Sequence, residues 1–100
     1  MSHQELLDYG FKQFNNTIID KYDILFQLPV RDKIGIRFYC NVRFWQNSKY
    51  SPEAGDGYDA KVNFNEFVVQ LYSVNDMKPK DVVAFFDKMW EKMGCSYYDQ

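Results

Sequence analysis

The sequence predicts an α+β domain: a three-stranded antiparallel sheet with an N-terminal helix and two C-terminal helices, in the order α-β-β-β-α-α. Three observations carry this. From Ile34 to Trp45 the chain alternates without a break, with Ile34, Ile36, Phe38, Cys40, Val42 and Phe44 on one parity and Gly35, Arg37, Tyr39, Asn41, Arg43 and Trp45 on the other. Strand side chains point alternately to opposite faces, so this is one long, half-buried strand. After Pro79, the residues Val82, Phe85, Phe86, Met89, Trp90 and Met93 recur at helical spacing opposite Asp81, Lys88, Glu91 and Lys92, which predicts an amphipathic helix opened by the proline. Finally, a chain of 100 residues suits one compact domain over 1–100 with a single core.

The remaining elements follow in order. Ser2 and Glu5 form a capping-box pattern, and Leu7, Phe11, Phe14 and Ile18 continue a stripe, which predicts a helix from His3 to Asn16 with Gly10 allowing close packing. Ile24, Phe26 and Leu28 alternate with Asp23, Leu25 and Gln27, and Pro29 is expected to end this first strand because it has no N–H for a ladder. The short polar stretch from Val30 to Lys33 makes an antiparallel hairpin with the long strand the simplest connection. Residues 46–57 read as the extended loop, and Tyr58, Ala60 and Val62 alternate with Asp59, Lys61 and Asn63 as a short third strand.

Phe64 to Val74 fits two periods. Its valines and Tyr72 favour a strand, but Phe64, Phe67, Val68, Leu71 and Val74 share one helical face, and the helix is the expectation adopted. If the stretch is a strand instead, the alternative is α-β-β-β-α with a long, bulged third strand. Gly94 reads as the stop of the last helix, and 95–100 as a tail that either packs back or stays flexible.

Net charge is −2, which removes the overall basic field that drives sequence-independent nucleic-acid binding. The charge is uneven, with a net of +2 over residues 1–50 and −4 over 51–100. The two cysteines, Cys40 and Cys95, are far apart and show no metal or redox spacing; reduced thiols with no leader or apolar span point to a cytoplasmic protein.

No catalytic or cofactor motif occurs, so neither an enzyme nor a cofactor protein is expected. The single histidine, His3, is expected to be solvated in an exposed first turn, and one histidine excludes triads and multi-histidine metal sites. Residues Asp56 to Phe67 resemble the second half of an EF-hand. With Glu66 at position twelve, however, positions one and three fall on Gly55 and Gly57 and position six on Ala60, so most oxygen ligands are missing and no metal is expected.

The functional lead is the outward parity of the long strand. Arg37, Tyr39, Asn41, Arg43 and Trp45 combine guanidiniums, an amide and aromatics, the residue types enriched at binding hot spots, beside an acidic loop of Glu53, Asp56 and Asp59. A small, acidic, aromatic-rich chain of this kind has the profile of an inhibitor, immunity or antidefence protein that binds a protein partner. The same face on a nucleic-acid-binding domain, with bases stacked on its aromatics, is the second reading, and a self-associating subunit or homodimer the third. No membrane association is expected.

Overall fold

A computed structural model describes residues 1–15, 24–46, 55–64 and 67–93. Its elements are α1 (His3–Tyr9), β1 (Lys12–Asn15), β2 (Ile24–Arg31), β3 (Ile36–Trp45), β4 (Gly57–Phe64), β5 (Phe67–Leu71) and α2 (Pro79–Lys92). The five strands form one antiparallel meander in the order β1-β2-β3-β4-β5. The fold is α+β, as α-β-β-β-β-β-α, and the expected three-stranded sheet with three helices is corrected on both counts.

The first correction lies at Gly10. Ser2 caps α1 as expected, its hydroxyl accepting from Glu5 N–H at 3.1 Å. Gly10 then adopts φ 118°, and Phe11 N–H reaches back to the Leu6 carbonyl at 3.0 Å. That left-handed residue stops the helix, and the chain from Lys12 turns into the edge strand β1. Burial follows the strand reading: Leu6 and Phe11 enter the core, whereas Leu7 and Phe14, on the expected helical stripe, are exposed.

The second correction concerns 64–74. Phe64 pairs with Phe67, and β5 runs back along β4 with Val62 opposite Val69 and Ala60 opposite Leu71. A helix would have buried its whole apolar face, yet Phe67 and Val68 are each 60% exposed. The alternative of one prolonged, bulged third strand is also displaced, because the stretch folds back as a separate strand.

Pro29 does not end β2, which continues to Arg31. β1 pairs with β2 only as far as Gln27, so among the described residues Pro29 has a ladder partner on one side only, Tyr39 of β3, the half-edge setting in which a strand tolerates proline. The β2–β3 turn is closed by Asp32, whose N–H donates to the Gly35 carbonyl and whose Oδ1 accepts from the N–H groups of Ile34 and Gly35 at 2.9 and 3.1 Å. Ile34 therefore belongs to the turn, 67% exposed, and β3 begins at Ile36.

Both helices lie on one face of the sheet. There Phe26, Phe38, Cys40, Val42, Ala60, Val62 and Phe64 meet Leu6 from α1 and Val82, Phe86 and Trp90 from α2. The rings of Phe38, Phe64 and Trp90 pack together with centroids 5.4 to 5.8 Å apart. Cys40 is the small buried hydrophobe its parity implied, and burial pushes its thiol up to about 12.

His3 is not solvated. Its ring sits edge-on to Phe26, Phe44 and Tyr58, and its Nδ1 hydrogen-bonds the Tyr58 hydroxyl at 2.5 Å. Burial, chiefly, and the charge of Glu5 raise the Tyr58 phenol above its ordinary value, against a hydrogen bond from the His3 backbone. Gly94 and 95–100 lie outside the described residues.

Candidate functional site

Among the described residues, both helices lie on one side of the sheet and no other element covers the opposite, open face. Register decides what lines it. Lys12, Gln27, Asn41, Lys61 and Gln70 fall in one row across all five strands, and Phe14, Leu25, Arg43 and Asp59 in the next. The sheet curls around these rows into a groove of about 520 Å³ lined by Leu25, Asn41, Arg43, Asp59, Lys61, Asn63 and Gln70. A smaller depression of about 230 Å³, with Tyr39 at its wall, continues it toward the β2–β3 turn.

Of the residues expected on this face, Tyr39, Asn41, Arg43 and Trp45 are there. Asn41 Oδ1 accepts from Gln27 Nε2 at 2.9 Å, which orients both amides along the row. Tyr39 is 44% exposed. Trp45 sits against its cross-strand partner Gly57: a Cβ there would stand 2.9 Å from the indole Cζ2, so the bare glycine is what makes room for the ring.

Arg37 has left the face. β2 pairs Val30 with Phe38 but Arg31 with Ile36, so Arg37 is the extra residue of a β-bulge. A bulge re-aims its side chain, and here the guanidinium turns to the helix side, over the Phe38 ring, and ion-pairs with Asp87 of α2. Ile36 takes the vacated direction and lines the Tyr39 depression. Strict alternation through Arg37 is thus corrected.

The acidic loop is corrected for Asp59, which sits in β4 rather than in a loop. It is 7% exposed and directly opposite Arg43, whose Nη2 stands 2.9 Å from its Oδ2. Asp56 is exposed just before β4, and Glu53 lies outside the described residues. A nearly buried carboxylate on a sheet face needs a charge partner, and Arg43 supplies it.

Sequence reasoning missed Gln27, Lys61, Asn63 and Gln70 as members of the site. The alternation of β2 and β4 already put the first three on the outward parity, and aligning the strands would have found them. Gln70 was hidden by the helical reading of its segment.

No family model, characterised protein or solved structure matches this chain. Among the described residues, no group of three or more His, Cys, Asp or Glu side chains is placed to hold a metal ion, and no helix is long and apolar enough to cross a membrane.

Proposed function

We propose that the chain is a small non-enzymatic protein-binding module of inhibitor or immunity type that seats a partner on the open sheet face. The observation that carries this reading is the polar groove itself, about 520 Å³, walled by the amides of Asn41, Asn63 and Gln70, that of Asn41 held by Gln27, with the exposed ring of Tyr39 nearby. Amide side chains offer donors and acceptors together, which suits the mixed backbone and side-chain groups of a polypeptide. Phosphates ask for available guanidiniums, and both arginines expected on the face are engaged within the chain, Arg43 with Asp59 and Arg37 with Asp87. The net charge of −2 weighs the same way. The free, buried thiol of Cys40 suits a reducing cytoplasm.

A photo-crosslinking residue replacing Tyr39 on the open face, and in parallel Lys88 on the helical side, tests this in the source cells. One discrete protein adduct from position 39 and none from position 88 is the expected outcome, with Tyr39→Ala weakening the captured complex by about 2 kcal/mol or more. Adducts to nucleic acid, or the same adducts from both positions, would displace the reading.

A further inference from the structure

The two edges of the sheet are built differently. β1 is four residues long and begins with Lys12, a charge of the kind that keeps sheet edges apart. β5 has no such guard: Phe67 to Asn75 contains neither a charge nor a proline, and among the described residues no strand pairs with its outer side. Along this edge Phe67 and Val68 are each 60% exposed and Tyr72 is 80% exposed. Outward N–H and C=O groups beside exposed apolar side chains form a template for one more strand.

We infer that this strand is β5 of a second copy, paired antiparallel about a two-fold axis at Val69 to give a continuous ten-stranded sheet. A two-fold edge must be self-complementary, and this one is. Val69 faces Val69 of the other copy, Phe67 faces Leu71 on the helix side, Val68 faces Gln70 on the open side, and no charge meets a like charge. The exposed parts of Phe67, Val68 and Tyr72 come to roughly 350–400 Å² per copy, given that an aromatic side chain buries about 150–250 Å². Doubled, and with the backbone of both strands added, this approaches the lower bound of about 1,000 Å² for a specific interface, so the dimer is reversible rather than permanent. The pairing sets the two open faces side by side and is independent of what those faces bind.

Sedimentation equilibrium over about 5 to 500 µM protein, which brackets micromolar dissociation constants, tests it. The wild type should pass from monomer to dimer. Val68→Lys with Gln70→Lys places lysines opposite lysines and should weaken dimerisation at least tenfold, whereas Val68→Lys with Gln70→Glu restores opposite charges and should return it to within a few-fold of wild type. Should the double substitutions disturb the far-ultraviolet dichroism, Phe67→Ser, which removes a 60% exposed apolar side chain placed opposite Leu71 of the other copy, should give the same tenfold loss. A wild type that stays monomeric throughout, a lysine pair that leaves dimerisation unchanged, or a loss that the Lys/Glu pair does not reverse overturns the inference.

Discussion

Removing the guanidinium of Arg43 tests the electrostatic design of the open face. Its partner Asp59 keeps 11% of its side-chain surface in water, whereas Arg43 keeps 50%, and the two are 2.9 Å apart. Two charges about 4 Å apart attract by about 4 kcal/mol at an effective dielectric of about 20 and by about 1 kcal/mol in bulk water. Exposed pairs contribute roughly 0.2–1 kcal/mol net, whereas breaking a buried pair costs roughly 3–5 kcal/mol because the remaining charge is stranded. With one partner buried and the other half in solvent, screening places the coupling between these limits, at about 1–2 kcal/mol.

The measurement is a double-mutant cycle of Arg43→Met and Asp59→Asn, read by urea unfolding through tryptophan fluorescence. Arg43→Met is expected to be the more damaging single change, because it leaves a carboxylate at 7% exposure without its partner. Asp59→Asn in the Arg43→Met background should recover part of the loss. A coupling below about 0.3 kcal/mol, the level at which independent sites add, would show that Asp59 is solvated and that burial does not govern the pair. The result also bears on function, since a charge reversal at Arg43 disturbs fold and face together, which makes Tyr39 the cleaner probe of binding.

Phe38 is 3% exposed and its ring packs on Phe64 and Trp90, so Phe38→Ala should cost about 3–5 kcal/mol in denaturant unfolding; a loss below about 1 kcal/mol would contradict its place in the core. At Gly10 an added Cβ would stand 3.6 Å from Leu28 Cδ1, an ordinary contact, so space is not the obstacle. The φ of 118° is, and Gly10→Ala should cost about 1–2 kcal/mol by thermal unfolding, an unchanged midpoint meaning that α1 ends otherwise. The Asp32 carboxyl is held below its ordinary value first by the N–H of Ile34, with desolvation opposing it, and further by the N–H of Gly35 and the charge of Arg37. Its contribution is therefore fully present above the unfolded carboxylate pKa of about 3.9 and is lost as pH falls through the lower folded value. The stability gap between wild type and Asp32→Ala should shrink on acidification, and a gap constant from about pH 7 to about pH 2 would show that the carboxylate plays no part in the turn.

Local residue order alone set the faces of the regular elements. The alternation of β3 put Phe38, Cys40 and Val42 in the core and Tyr39, Asn41, Arg43 and Trp45 on the opposite side, and the stripe Val82, Phe86, Trp90 defined the buried side of α2, because a period of two or of 3.6 is written in local order. Gly10 was visible, but whether it packs within a helix or ends it depends on a left-handed φ that sequence does not display. Phe64 to Val74 satisfies both periods, and only pairing with β4 decided between them, since a ladder partner lies elsewhere in the chain. The bulge at Arg37 arises from the register of β2 against β3, a relation between two strands, and it moved one arginine from the open face to the helical side, leaving the other opposite Asp59. Which side chains share a face is thus a local property, while which of them meet is set by register and curvature that exist only once the sheet has formed.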